Sequence, residues 1–263
     1  MIEFSLGVVL AFLVVFLARR YGWLTLPAAI GAFILGILVF GFCGIQWSVP
    51  LLVFFFTSVL MTRYGREKKQ KFEYISDIKP KRRLHQVIAN GGVAGILILV
   101  SIFFPHDRWY LVYGAVIASV TSDAWSTEIG LLSNSEPRSI HNGRKVPHGT
   151  SGGLTPEGIA AGFAGCVCIF LSMTPWFGFH FQSFCIICSS GLLANLVDSF
   201  LGATLQVRYR CSMCQHITER SRHCDNTSTE YYGGIRLLTN DGVNFCASIC
   251  GAVSAFLLLM VFC

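Results

Sequence analysis

Two acids, Asp123 and Glu128, stand at the end of an apolar run, and a Gly- and hydroxyl-rich loop follows at Lys145-Val-Pro-His-Gly-Thr-Ser-Gly-Gly153. A carboxylate beside hydrocarbon is costly, about 2.5–3.5 kcal/mol for Asp on insertion scales, so it signals a function or a partner. A Lys next to Gly149, Thr150, Ser151, Gly152 and Gly153 is backbone of the kind that surrounds phosphate. It lacks the Walker A pattern, but its place just before a helix start would aim unpaired N–H groups and a helix dipole at an anion. Acids able to hold a metal ion beside a phosphate cradle point to phosphoryl chemistry at a membrane face. The five-residue step from Asp123 to Glu128 turns the two acids about 140° apart on a straight helix. They share a face only if the helix end is distorted, which Gly130 with Ser122, Ser126 and Thr127 would allow, or if a cation lies between them.

Other polar groups recur at helical spacing. Asn195, Asp198 and Gly202 follow i, i+3, i+7, and Gln206 extends the stripe by a turn. Asp241 and Asn244 lie three residues apart, and Gln86 and Asn90 four apart. A polar stripe in an apolar helix faces a bundle interior or a wet cavity. Asp241 equally suits a helix N-terminus, and Gln86 with Asn90 equally suits interhelical hydrogen bonding worth ~0.6 kcal/mol. The basic run Arg63–Lys71 and Lys79–Arg83 reads mainly as a headgroup-facing surface, with Arg63 nearest a helix end and placed to reach a phosphate. Cys211, Cys214, His223 and Cys224 form a C-x2-C-x8-H-C set in which structural zinc, unligated thiols and a redox role all stay open, and His216 competes as a ligand. The remaining cysteines read as soft apolar filler.

The elements that must carry these groups are membrane spans. The chain is 53% hydrophobic and 13% charged with a mean hydropathy of +0.59, far from the roughly 25% charged residues of a soluble domain. No cleavable signal pattern is visible at the N-terminus. Eight apolar spans are expected near 2–18, 24–43, 49–62, 85–104, 110–132, 156–174, 183–206 and 242–263, the third being short. Of the 20 Lys and Arg, only Arg108 then falls on the other side of the membrane. The positive-inside rule makes the basic side cytoplasmic and both termini extracytoplasmic. The short loops Gly44–Ser48, Pro105–Trp109 and Pro175–Gln182 lie outside, so the polar chemistry is cytoplasmic. This topology accounts for the net charge of +6, and the basic loops lack the aromatic stacking platforms of a nucleic-acid binder. The fold expected is an all-α polytopic transmembrane helix bundle, one domain over 1–263, with a small Cys-containing cytoplasmic insertion at 207–236. Gly158-x3-Gly162 marks a close helix approach.

Together the ordered segments Thr62-Arg63-Tyr-Gly-Arg-Glu-Lys68, Gln86-Val-Ile-Ala-Asn90-Gly, Asp123-Ala-Trp-Ser-Thr-Glu128-Ile-Gly, the 145–153 loop, Asp198-Ser-Phe-Leu-Gly-Ala-Thr-Leu-Gln206 and Asn240-Asp241-Gly-Val-Asn244 resemble the integral-membrane family of domain of unknown function 92. That family includes transmembrane protein 19 and the plant phytyl-phosphate kinase. Pro147-His148 stands where many members have two prolines, and the cysteine insertion is similar to that of bacterial members. The resemblance implies CTP-dependent phosphorylation of a prenyl monophosphate to its diphosphate.

Combined with the residue reading, it assigns Mg²⁺ to Asp123, Glu128 and Asp198, with Asp241 a further ligand. Lys145 and Gly149–Gly153 would hold nucleotide phosphates. Arg63, Gln86 and Asn90 would hold the lipid phosphate or help close the polar cavity, and Asn195 and Asn244 would join the cofactor-binding set. Asp123, Glu128, Lys145 and Asp198 form the expected catalytic set. Two rivals use the same acids: an ion- or proton-coupled transporter, and a cytidylyltransferase acting on a lipid phosphate.

Overall fold

Apolar runs punctuated by Gly, Pro and charged residues fold into eight long helical segments among the described residues, 2–72 and 81–262 of the computed structural model. They are α1 (Ile2–Arg20), α2 (Leu26–Gly36, continued by a π-helical stretch Ile37–Cys43), α3 (Gly44–Arg63), then after the short α4 (Arg66–Lys69), α5 (Leu84–Phe103), α6 (Arg108–Gly130), α7 (Pro156–Phe177), α8 (Phe181–Thr204) and α9 (Asn240–Phe262). The stretch Leu26–Arg63 and helices α5, α7, α8 and α9 are long and apolar enough to cross a membrane. Helices α1 and α6 each carry three charged residues: Glu3, Arg19 and Arg20 in one, Arg108, Asp123 and Glu128 in the other. Residues 73–80, including Lys79 of the basic run, lie outside the described residues.

The expected loop Gly44–Ser48 is instead the first turn of α3, so the third span is not short. It has 20 residues, about 30 Å of helix. The backbone leaves the helical path at Gly44, where φ is +74°, and this separates it from α2. Pro50 lies inside α3 and has no N–H for the carbonyl four residues back. That carbonyl, on Gln46, accepts from the Tyr110 hydroxyl at 2.9 Å, and Trp47 O accepts from Tyr113 at 2.7 Å. The proline thus frees the Gln46 carbonyl as an anchor for α6, and the Trp47 carbonyl adds a second hydrogen bond to it.

Helix α6 is central. It packs against α3, α5, α7, α8 and α9, and every residue from Val112 to Ser122 is buried. A helix buried all round needs neighbours that come close on several sides. Gly158 and Gly162 provide this on α7: a Cβ at Gly162 would lie 2.8 Å from Ser122 Oγ and 2.9 Å from Asn195 Nδ2, and one at Gly158 would lie 2.9 Å from Ser126 O. The outer faces expose large apolar residues such as Ile96, Leu171 and Leu257, as lipid-facing surfaces do.

Two small sheets lie at one end of the bundle. Strands β1 (Arg138–Ser139) and β2 (Gly153–Leu154) pair antiparallel in the α6–α7 connection. Between α8 and α9, β3 (Arg208–Cys211), β4 (Ile217–Thr218), β5 (Arg222–His223) and β6 (Thr227–Gly233) form an antiparallel sheet in the order β4-β3-β6-β5. Among the described residues, every Lys and Arg except Arg108 sits at this end.

Gly162→Val should lower the thermal stability of the detergent-solubilised protein by roughly 1–3 kcal/mol through overpacking. Leu257→Val on the exposed face should leave it unchanged. A melting series followed by size-exclusion chromatography measures both.

Candidate active site

At the charged end the helix termini surround a cavity of about 1240 Å³. Its acidic wall comes from Asp123 and Glu128 on α6, Asp198 on α8, Asp241 at the start of α9 and Glu219 in the β4–β5 segment. Its basic wall comes from Arg63, Arg66, Lys69, Lys81, Arg82, Arg83, Arg220 and Arg222. The loop Gly149–Gly153 lines it, as do Gln86, Asn90 and Gln206.

The register of α6 against α8 explains how Asp123 and Asp198 reach the same space. Asn195 is buried and donates to Ser122 Oγ at 3.2 Å, while its Oδ1 accepts from Ser126 at 3.2 Å. Asn195 is therefore a clasp between the two helices and does not line the cavity, contrary to its expected ligand role. Its amide is spent on α6. One turn on, Asp198 is acted on by the charges of Asp123 and Glu219. Asn244, with its amide turned so that nitrogen faces acceptors, donates to Asp198 Oδ2 at 2.9 Å and to Asn240 O at 3.0 Å. It orients Asp198 from behind.

Glu128 has a different environment. Its Oε1 accepts from Thr62 at 2.6 Å and its Oε2 pairs with Lys69 Nζ at 2.6 Å, with both ionic side chains buried. Lys69 also donates to Met61 O at 2.6 Å. Helix α6 stays regular to Gly130, so the distorted end expected for a carboxylate pair is absent. Glu128 points to α3 and α4, as its 140° offset implies, and both its oxygens are already engaged. The Glu128 charge also acts on Arg82, which is half-buried, stacks on Phe54 and Phe55, and donates to Ser58 Oγ at 2.7 Å. Burial pushes Arg82 down to about 10, and Glu128 opposes that shift.

The glycine loop is in the cavity, but Lys145 is not. Strand pairing of Ser139 with Gly153 and the bridge between Arg138 and Lys145 turn Lys145 outward. There its side chain is 62% exposed and ion-paired with Glu136, whose carboxyl it holds below the usual range. The loop is also not the start of α7, which begins at Pro156 under a Thr155 cap that accepts from Gly158 N at 3.1 Å. Instead Gly152, with φ +78°, presses against α8: a Cβ there would lie 2.5 Å from Ser199 O and from Ala203 Cβ. Ser151 donates to Glu219.

Arg63 lines the cavity and stacks over Trp23 at 5.1 Å. Gln86 lines it too, and its Oε1 accepts from Arg83 N at 2.9 Å in a capping box at the start of α5. Cys211, Cys214, His223 and Cys224 converge beside the cavity-lining 219–222 segment. Lys69, Arg82, Glu219 and Arg220 had no distinct signal in the sequence. The two basic groups were hidden in a charged run, and Glu219 and Arg220 lay in the cysteine insertion. Gln206 was visible only as an extension of the Asp198 stripe.

Removing one partner of a buried ion pair costs about 3–5 kcal/mol, because the other charge is stranded. Lys69→Ala should therefore destabilise strongly, and Lys69→Met with Glu128→Gln should recover most of the loss. Thermal unfolding of the single and double variants checks this.

A family profile described as "Integral membrane protein DUF92" matches residues 9–252. Protein PGR of Arabidopsis thaliana is 28% identical, covering 91% of this chain and 90% of its own length. An uncharacterized membrane protein of Methanocaldococcus jannaschii is 36% identical, over 67% of this chain and 72% of its own. Another uncharacterized membrane protein, from Synechocystis, is 26% identical over 68% and 70%. No solved structure matches. With the profile spanning all eight helical segments, the chain belongs to the DUF92 family of multi-pass integral membrane proteins.

Proposed function

We propose that the chain is a membrane-embedded prenyl-phosphate kinase that uses CTP and Mg²⁺ to make a prenyl diphosphate on the cytoplasmic face. The observation that carries this reading is the composition of one cavity: three helix-borne aspartates face a glycine loop and a wall of arginines. Acids alone would suit a cation, and arginines alone an anion. Both together suit a metal–phosphate complex.

Asp123, Asp198 and Asp241 offer the hard carboxylate oxygens that Mg²⁺ prefers, and the repulsion between Asp123 and Asp198 at the hydrocarbon edge calls for a cation. Glu128, neutralised by Lys69, would act as a fixed support. When bound, Mg²⁺ would supply charge neutralisation to the nucleotide phosphates. Gly149–Gly153 would lie along those phosphates in place of a lysine cradle. Gln206 supports a bound polar ligand: it is 1% exposed, lines the cavity, and neither amide atom has a partner among the described residues. Leaving such groups unpaired costs about 1–3 kcal/mol.

An apolar cleft between α1, α2, α3 and α5 shares Arg82, Gln86 and Asn90 with the polar cavity. A lipid phosphate would sit at that junction, with Arg82 as its counter-ion and the tail among residues such as Val15, Leu35 and Phe55. The lipid phosphate oxygen attacks the γ-phosphorus, the bond to the β-phosphate oxygen breaks, and CDP leaves with the electron pair. The attacking oxygen is already anionic, so positioning and charge compensation do most of the catalysis. The opposite half of the bundle is filled by a packed core including Val112, Ile117, Phe170 and Met173. The cavity lining reaches no deeper than Asn90, Asp123 and Asp198, which favours a blind catalytic pocket over a transport path.

Purified protein with Mg²⁺, CTP and prenyl phosphates of several chain lengths should yield the diphosphates and CDP, scored by product mass. Asp123→Ala and Asp198→Ala should each lower turnover by about 10²-fold or more while the protein still purifies as a folded species. Gln206→Ala should mainly raise the KM for one substrate. Pyrophosphate as product would replace the kinase with cytidylyl transfer. Cation flux in liposomes without nucleotide consumption would replace it with transport.

The cytoplasmic assignment has a separate check. A reporter fused after the C-terminus should be active as a phosphatase and dark as a green fluorescent protein in bacterial cells, and the opposite pattern would invert the orientation.

A further inference from the structure

The insertion between α8 and α9 brings together four atoms that have no role in the chemistry above. The ligand atoms of Cys211, Cys214, His223 and Cys224 all lie within 4.8 Å of one another. Around zinc with Zn–S bonds of about 2.3 Å and a Zn–N bond of about 2.0–2.1 Å, tetrahedral geometry sets S···N edges of about 3.6 Å. The distance from His223 Nδ1 is 3.5 Å to Cys214 Sγ and 3.2 Å to Cys224 Sγ. The cysteines among them are free, and three thiols cannot all be consumed in disulfides with one another.

The backbone is shaped to aim them. Gln215, just after Cys214, has φ +60°, and Cys224, Asp225 and Asn226 have φ +31°, +50° and +67°. Such left-handed conformations cost a non-glycine residue free energy and persist only where the surroundings impose them. Two hairpins are involved. Cys211 ends β3 and Cys214 lies in the β3–β4 turn, while His223 ends β5 and Cys224 opens the β5–β6 turn. The outer strands β4 and β5 have two residues each, too short to be held by pairing alone.

What lies between the two ligand pairs gives the cluster its consequence. The chain from Cys214 to His223 has both ends at the cluster, and its middle, Glu219 to Arg222, lines the cavity. There Glu219 accepts from Ser151 in the glycine loop. We propose that Cys211, Cys214, His223 and Cys224 bind one structural zinc ion that clamps this segment into a wall of the cavity, delivering Arg220 and Arg222 to a bound phosphate and fixing the glycine loop through Glu219. The metal site stands on its own geometry. What the arginines meet rests on the phosphate-binding reading of the cavity.

The full chain, purified in detergent without chelator, is assayed for metal by plasma mass spectrometry. One zinc per chain is expected, and exchange with Co²⁺ should give thiolate-to-cobalt charge-transfer bands and tetrahedral d–d bands. Cys214→Ser and Cys224→Ser should each bring zinc below a tenth per chain, whereas Cys185→Ser and Cys246→Ser, exposed thiols on the helices, should keep it. Less than a tenth of a zinc per wild-type chain, with no cobalt–thiolate absorption after reduction and reconstitution, overturns the site. Hydrogen exchange tests the wall: removing zinc should speed exchange at least tenfold in 217–222 and in 149–153. Unchanged exchange in both segments overturns the clamp even if zinc binds. Neither readout depends on turnover, so a failed kinase assay leaves both standing.

Discussion

A carboxylate held at the edge of hydrocarbon has to be compensated, and the structure treats its acids in two different ways. Glu128 is answered from inside the protein. Lys69 and Thr62 occupy both its oxygens, and Met61 O takes another proton of the lysine. That arrangement dictates the local path of the chain. After α3 ends at Arg63, Gly65 adopts a left-handed conformation with φ +64°, and the single turn of α4 brings Lys69 back against α6. A buried pair of this kind is weak evidence of net stability, but it is strongly directional, because neither charge tolerates loss of the other. It ties α3, α4 and α6 into one unit at the mouth of the cavity.

Asp123 and Asp198 are brought together instead. The close approach of α7 at Gly158 and Gly162 leaves room for a clasp in which Asn195 joins Ser122 and Ser126. The clasp sets the register of α8 on α6, and one turn beyond it Asp198 meets the charge of Asp123. Small residues in the membrane therefore act on the cavity indirectly. They let backbones approach, the approach fixes the amide clasp, and the clasp places the acids. A volume increase at Gly162 would reach the site through this chain of contacts.

The arrangement is consistent with phosphoryl chemistry in a way that neither wall alone would be. Positive groups gather at one end, and the structure separates them by burial. Lys69 is buried, and Arg82 is half-buried against Phe54 and Phe55. Lys145, on the exposed hairpin, is outside.

Hydropathy and charge segregation determine the helix count, the common end at which the basic residues gather and the identity of the acids, because burial in lipid imposes a long apolar run on each span. Helical periodicity alone shows that Asp123 and Glu128 diverge and that Asp198 and Gln206 share a stripe. Tertiary structure decided the rest. Lys69 pairs with a residue 59 positions away, and no local pattern encodes which of several lysines in a charged run turns inward. Lys145 adjoins the phosphate loop in sequence, yet a two-residue strand pairing sends it to the surface. The third helix starts at Gly44, where φ is +74°, and two tyrosines on α6 hold its first turns through the Gln46 and Trp47 carbonyls. The glycine loop remained part of the cavity, but it does so by packing on α8 at Gly152, not by opening α7. Sequence specifies which groups are costly to leave uncompensated; only the packed bundle specifies which partner compensates each of them, since those partners are distant in the chain and chosen by geometry.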